Sequence, residues 1–133
     1  MVRVRRVYEP ADPTDGLRVL VDRLWPRGLR REASRVDLWA RPLAPSDGLR
    51  RWFGHHPARW EEFRRRYREE LARPPARDLL EELVERARRG TVTLLFAARD
   101  EQHNNAVVLA EVLRERLEAP AKRRAAARPH TRS

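Results

Sequence analysis

A short apolar run that ends in a stiff, charged loop constrains this fold more than any other feature of the sequence. Residues 17–21 read LRVLV, and such a short run rich in β-branched residues favours a buried strand over a helix. Residues 22–28 (DRLWPRG) turn polar at once, and Pro26 and Gly28 favour an extended segment followed by a sharp bend. We therefore predict a central strand over about 17–22 that delivers charged side chains to a rigid loop, where α/β proteins commonly place their sites.

The rest of the pattern predicts an α/β fold. Residues 91–97 (TVTLLFA) form the clearest strand, and weaker strands are predicted near 2–8 and at 36–39, the last at a sheet edge. Apolar residues at helical spacing predict four helices, over about 46–53, 57–73, 76–89 and 103–117. Strands at both ends with helices between them indicate a single layered α/β domain over residues 1–118, with a small, mostly parallel sheet flanked by helices.

The basic residues are concentrated towards the end of the chain. The formal net charge is +10, and residues 119–133 contribute half of it, with five basic residues and no acidic one. This segment also lacks large apolar residues, so we expect a disordered basic tail. The remaining body is mildly basic, which is compatible with an anionic partner without requiring one.

Composition excludes several classes of site. The chain has no cysteine, so it can form neither a disulfide nor a thiolate centre, and its four histidines lack the spacing of a metal site. We therefore predict no metal and no cofactor. No apolar run approaches the roughly 18 residues of a membrane span, and the first ten residues lack the apolar core of a signal peptide. A cytoplasmic protein without membrane contact is expected.

The first candidate cluster follows the central strand and comprises Asp22, Arg23, Trp25 and Arg27. The two arginines can form forked hydrogen bonds to phosphate or carboxylate oxygens, while Trp25 can cover a base or ring. The alternative interpretation is structural. In it, Asp22 pairs with an arginine to lock the loop, and Trp25 fills the core.

The second cluster follows the clearest strand and comprises Arg99, Asp100, His103, Asn104 and Asn105. We expect Asp100 to cap the last helix, and His103 to exchange protons if a partner orients it. The two asparagine amides can read a base edge or stabilise an oxyanion. Alternatively, these polar groups only satisfy the start of the helix.

Three further features favour structural roles. Ser46 lacks the G-x-S-x-G elbow of a serine nucleophile and is interpreted as a helix cap. His55 and His56 are typical of a solvated turn. The arginines at 64–66 and 68 lie opposite an aromatic stripe and predict a solvated helix face, although such a face can also contact nucleic acid.

Three motifs, taken together, resemble the YeaO-like family of small bacterial proteins, a domain-of-unknown-function group. The motifs are RVLVDRLWPRGL at 18–29, APSDGLRRWFGH at 44–55 and TLLFAARDEQHNNAVVL at 93–109. The resemblance covers about residues 2–117 and implies an α/β fold and a cytosolic bacterial protein, with no established activity. It places the basic tail outside the family pattern. The family's motif residues correspond to Asp22, Arg23, Trp25, Pro26, Arg27, Gly28, Trp52, Phe53, Asp100, His103 and Asn104.

Because the ends of parallel strands meet at one sheet edge, the two clusters are predicted to form one pocket for a phosphate-bearing or nucleotide-like anion. Asp22 or Asp100 would orient His103 for proton transfer, so that Asp22, Asp100 and His103 are the candidate catalytic residues. The candidate ligand-binding residues are Arg23, Trp25, Arg27, Arg99, Asn104 and Asn105. The alternatives are a nucleic-acid-binding module that uses the arginine-rich helix and the tail, and a non-catalytic interaction scaffold. The sequence does not decide whether the protein is an enzyme.

Overall fold

A small, entirely parallel sheet lies at the centre of the computed structural model, which describes residues 1–119. Its four strands have the spatial order β1-β4-β2-β3. They are β1 (Val2–Arg6), β2 (Leu17–Leu20), β3 (Leu38–Trp39) and β4 (Val92–Phe96). The predicted single α/β domain with a small parallel sheet is confirmed, and β1 and β3 form its two edges.

Helices account for most of the remaining structure. They are α1 (Arg31–Ser34), α2 (Asp47–Phe53), α3 (Trp60–Leu71), α4 (Ala76–Arg89) and α5 (Asn105–Glu118). Three short 3-10 turns, Pro13–Asp15, Arg41–Leu43 and Pro57–Arg59, complete the connections. The bounds predicted for α4 are confirmed, whereas the helix predicted from residue 57 begins as a 3-10 turn and becomes α-helical only at Trp60. Of the helices in residues 1–119, none combines the length and apolar character required to span a bilayer.

Strand β4 organises the core because it pairs on both sides, with β1 and with β2. All five of its residues are buried. Leu94 belongs to the large apolar cluster that also includes Tyr67 and Leu109, whereas Leu95 belongs to a smaller cluster with Leu20. The long helices supply the large cluster, and the segment 25–39, with its two tryptophans, packs against the small one.

Arg18, the single arginine within the apolar run of β2, is buried, and an ion pair with Asp15 compensates its charge. The guanidinium of Arg18 donates to the carboxylate of Asp15 and to the carbonyl oxygen of Arg35, at 3.0 Å for the latter. Asp15 is only 1% exposed and also accepts a hydrogen bond from Arg5 at 3.1 Å. These contacts fix the loop before β2 to strand β1, through Arg5, and fix β2 to the segment that precedes β3, through Arg35.

A glycine lets β2 start directly beside β4. Gly16 has φ of +64°, and a Cβ atom at this position would lie 2.2 Å from the carbonyl oxygen of Thr91. The left-handed backbone and the close approach both require a residue without a side chain.

Strand β2 ends at Leu20, earlier than predicted, although the N–H of Val21 still donates to Leu95 O at 3.1 Å. Of the tail predicted at 119–133, residues 120–133 lie outside the part of the chain that the structure describes.

Candidate functional site

The two predicted clusters meet at one hollow at the carboxyl ends of β2 and β4. We call this cavity of about 540 Å³ the arginine hollow. The loop after β2 and the beginning of α5 supply its walls because the two strands are parallel neighbours and end at the same sheet edge. Of the residues predicted for the site, the arginine hollow is lined by Asp22, Arg23, Trp25, Arg27, His103, Asn104 and Asn105.

Four arginines give the arginine hollow its charge: Arg23 and Arg27 from the loop, and Arg50 and Arg51 from α2. Asp47 partly compensates this charge, because its carboxylate lies 3.2 Å from Arg23 and 3.3 Å from Arg50. Arg27 and Arg51 form no ion pair among residues 1–119, although the charge of Arg51 also helps to lower the pKa of Asp47. Uncompensated positive charge therefore remains at the cavity wall.

An apolar wall completes the arginine hollow. Phe53 and Phe63 stack with ring centroids 4.5 Å apart, and Leu24 lies near them with 65% of its surface exposed. Trp25 is fixed within the protein, since its indole N–H donates to Leu29 O at 2.7 Å and its ring packs edge-on against Trp39. Trp25 therefore lines the cavity while also filling the smaller apolar cluster.

Asp22 connects the ends of the two strands. One of its carboxylate oxygens accepts a hydrogen bond from the N–H of Ala97 at 2.9 Å. Burial raises the pKa of Asp22, opposed by the hydrogen bonds from Ala97 and from the Asn105 side chain. The proposed lock between Asp22 and an arginine is wrong: within the described chain this carboxylate interacts with the Ala97 N–H and the Asn105 side chain, and not with a guanidinium.

Asp100, rather than Asp22, orients His103. The Nδ1 atom of His103 lies 3.0 Å from a carboxylate oxygen of Asp100, and the imidazole packs edge-on against Trp60. The other carboxylate oxygen accepts the N–H groups of Gln102 and His103 at 2.9 and 3.0 Å. The hydrogen bond from Gln102, with that from the His103 ring, lowers the pKa of Asp100.

The predicted cap of the last helix is wrong. Helix α5 begins at Asn105, so its cap is Asn104, whose side-chain oxygen accepts the N–H of Val107 at 3.1 Å. Asp100 lies one turn too early and closes the preceding turn instead. The Asn104 amide also donates to Asp100 O at 2.9 Å, and that of Asn105 donates to Val21 O at 2.8 Å. Asn105 thereby holds α5 against the end of β2, and Asn104 ties the helix to the turn that precedes it.

A second cavity of about 720 Å³ lies beside the first, and we call it the adjoining hollow. It contains Arg99 and Asp100, which the sequence had assigned to the same pocket as Arg23 and Arg27. The two hollows share His55, Ala97 and Ala98. The predicted site residues are thus divided between two adjacent cavities. The adjoining hollow is lined by Arg6, Tyr8, His55, Ala97, Ala98, Arg99 and Asp100.

The arginine-rich face of α3 is neutralised by glutamates. Arg64 and Arg68 both bind Glu111 of α5, at 2.7 and 3.2 Å, and Arg65 and Arg66 both bind Glu62. The solvated-face interpretation accounts for these pairs.

The interpretation of Ser46 as a helix cap is confirmed, because its hydroxyl accepts the N–H of Leu49 at 3.2 Å. Among residues 1–119, no three potential ligands cluster closely enough to hold a metal ion.

Sequence reasoning missed five cavity residues that carry charge or a polar ring: Arg6, Tyr8, Arg50, Arg51 and His55. The pair Arg50–Arg51 precedes two aromatic residues within the second motif, and this position was the available signal. His55 ends the same motif, whereas Arg6 and Tyr8 gave no comparable signal, because only the position of β1 beside β4 brings them to the strand ends.

Comparison with known proteins identifies the family. The model of a family described as the inactive DUF488-N3 subclade matches residues 1–131. The chain belongs to this family. The match to the DUF488-N3 model runs to residue 131 and therefore extends into the basic segment 119–133, whose place in the family pattern stays a prediction.

The DUF488-N3 chain also has curated bacterial relatives, all called uncharacterised. It is 38% identical to the protein YeaO of Escherichia coli over 113 residues, which cover 85% of this chain and 96% of YeaO. It is 48% identical to a protein of Mycobacterium tuberculosis over 112 residues, 84% of this chain and 92% of that relative. The predicted YeaO-like resemblance is confirmed. No solved structure matches the chain.

Proposed function

We propose that this DUF488-N3 member is a cytoplasmic protein that binds a phosphate-bearing or nucleotide-like anion in the arginine hollow. The observation that carries the proposal is the pair Arg27 and Arg51, which line the cavity and form no ion pair in the described part of the chain, where the single carboxylate of Asp47 already serves Arg23 and Arg50. A guanidinium donates forked hydrogen bonds to phosphate oxygens, each worth about 1.5–3 kcal/mol. An anionic ligand would supply the partner that the protein does not.

The apolar wall supports a ligand with a flat or apolar part. Leu24, which is 65% exposed, presents carbon surface beside the arginines, and the nearly buried rings of Phe53 and Phe63 also line the cavity. A nucleotide joins a charged phosphate to a planar base, and ligand sites commonly combine an apolar lining with a few convergent polar groups. Inorganic anions would satisfy only the charged part of this cavity.

Binding without turnover is favoured by the family description, which names an inactive subclade. One observation favours catalysis instead: the Nδ1 atom of His103 lies 3.0 Å from the Asp100 carboxylate, an arrangement suited to acid–base chemistry. We therefore keep proton transfer by His103 as the second candidate function. In the binding proposal, His103 donates or accepts a hydrogen bond at the cavity wall.

The other two hypotheses have less support. A nucleic-acid module built on α3 would need free guanidinium groups, but Arg64 and Arg68 are held by Glu111. A scaffold whose motif charges only lock loops would leave no open cavity beside them. The arginine hollow, with Arg27 at its wall, argues against that reading.

Calorimetric titration with AMP tests the proposal. We expect Arg27→Ala and Arg51→Ala each to weaken AMP binding about tenfold, which corresponds to the loss of roughly 1.4 kcal/mol of binding energy. The matched control is Arg89→Ala, which removes an exposed arginine from the end of α4, away from the cavity. This control should bind AMP as the wild type does.

Two results would contradict the proposal. Equal AMP affinity in all four proteins would show that Arg27 and Arg51 do not hold the phosphate. Steady conversion of AMP by the wild type, lost in His103→Gln with binding retained, would replace binding alone by the acid–base alternative.

A further inference from the structure

The adjoining hollow carries positive charge of its own. Arg6 is held by two carbonyl oxygens, Ala98 O at 3.0 Å and Ala97 O at 3.2 Å, and its guanidinium lies 5.0 Å from the centroid of the Tyr8 ring. The guanidinium groups of Arg6 and Arg99 form no ion pair in residues 1–119, although the backbone N–H of Arg6 donates to the Glu9 carboxylate at 3.0 Å. Carbonyl contacts orient the Arg6 guanidinium but leave its charge uncompensated.

The carboxylate in this cavity does not neutralise these arginines. Asp100 directs one oxygen to the ring of His103 and the other to two backbone N–H groups. Its hydrogen-bonding capacity is therefore largely taken up within its own turn. The adjoining hollow remains suited to an anion.

The two hollows lie side by side and share part of their walls. Ala97 and Ala98, at the end of β4, and His55 line both of them. The hydroxyl of Tyr8, a residue of the adjoining hollow, donates to the carbonyl oxygen of Arg27 in the arginine hollow at 2.8 Å. Arg6 is likewise held by the shared residues Ala97 and Ala98, so common contacts position both sets of arginines.

His55, at the junction, has a strained backbone. Its φ of +60° places a non-glycine residue in the left-handed region, directly after Gly54 in the same region. Such a conformation costs about 1–2 kcal/mol and tends to occur at ligand sites. The side chain of His55 is exposed and faces both hollows, where it can contact a ligand that passes from one to the other.

We propose that the ligand of this protein is an elongated molecule with two separate anionic groups, which occupies both hollows. One anionic group binds between Arg27 and Arg51, the second binds between Arg6 and Arg99, and the connecting part passes His55. This inference rests on the proposed function, because the first anionic group occupies the arginine hollow. It adds a second binding subsite and a requirement for two separate anionic groups.

Nucleotide probes with one and two phosphates test this requirement. The dinucleotide pApA carries two phosphates, ApA carries one with the same bases, and AMP carries one with a single base. We expect pApA to bind the wild type at least tenfold more tightly than either ApA or AMP. In Arg99→Ala, we expect this advantage to fall below about threefold while AMP affinity stays unchanged. Arg99 is exposed and makes no hydrogen bond or ion pair within the described chain, so its removal should leave folding intact.

The outcomes separate the two proposals. If pApA binds no more tightly than ApA and AMP, or if its advantage persists in Arg99→Ala, the second subsite is refuted while the arginine hollow stands. If Arg27→Ala leaves the affinities for AMP and pApA unchanged, the proposed function fails. The inference that the ligand places one anionic group in each hollow then fails with it. Arg89→Ala serves again as the control and should leave the pApA advantage intact.

Discussion

At the scale of single residues, buried Asp15 holds three basic side chains near the start of the sheet. It accepts hydrogen bonds from Arg18 and Arg5, and its carboxylate lies 3.7 Å from Arg3. Burial by itself would raise the pKa of Asp15, but hydrogen bonds from Asp12 N–H, Arg5 and Arg18 outweigh it and bring the pKa below its usual range. The folded state therefore depends on the ionised carboxylate.

We predict that Asp15→Asn lowers the free energy of unfolding by about 3 kcal/mol at neutral pH, since it leaves the buried Arg18 without its counter-charge. Urea denaturation measures this change. The control is Asp78→Asn, which removes an exposed carboxylate from α4 and should cost less than about 1 kcal/mol. Equal stability of the two variants would contradict the role assigned to Asp15.

The same residue predicts a pH dependence. Because the pKa of Asp15 is lower in the folded than in the unfolded state, its contribution is complete above the unfolded value of about 4. The contribution is lost as the pH falls from there through the folded value. The unfolding free energy of Asp15→Asn should therefore decline less steeply than that of the wild type below about pH 4. Parallel curves for the two proteins would contradict the lowered pKa.

At the scale of secondary-structure elements, the start of α5 positions the polar side chains of the site. Asn104 is 4% exposed, caps the helix through Val107 and holds the preceding turn through Asp100. We predict that Asn104→Ala lowers the free energy of unfolding by about 1–2 kcal/mol. Asn104→Asp keeps the oxygen acceptor and should cost less. Thermal or urea unfolding of the two variants checks this order, and a smaller loss in the alanine variant would exclude the capping role.

The elements also show how far sequence patterns reach. The bounds of α4 were predictable because apolar residues recur at helical spacing between Pro75 and Gly90. The start of α5 was not, since Asp100 and Asn104 are both suitable caps and only the turn after β4 selects between them. Likewise, nothing in the local sequence tells that the Asp22 carboxylate turns towards Ala97 rather than towards an arginine.

At the scale of the whole molecule, the meeting of two distant motifs was predictable from parallel strand order alone. Which other side chains join them was not. The orientation of α2, which brings Arg50 and Arg51 to the arginine hollow, depends on its packing against α3. The division into two hollows depends on β1 lying beside β4, which places Arg6 at the second cavity.

The distribution of charge over the molecule gives a further prediction. The described body pairs the arginines of α3 with glutamates, whereas residues 120–133 contribute five basic residues without an acid. We predict that truncation after residue 119 abolishes any binding to unrelated duplex DNA. In the full chain, the logarithm of the DNA-binding constant should fall with the logarithm of the salt concentration with a slope of up to about 4–5, and this dependence should disappear with the segment. AMP binding should survive this truncation. DNA binding that persists at an unchanged slope would instead assign a nucleic-acid surface to the body.

The most direct test of the account locates the ligand on the molecule. Two-dimensional amide NMR spectra of isotope-labelled protein, recorded during titration with AMP, report which backbone groups sense it. The account predicts that the largest shift changes occur at Arg27, Arg51 and Ala97, which surround the arginine hollow. Changes confined to α4 or to residues after 119, with none at these three positions, would contradict it.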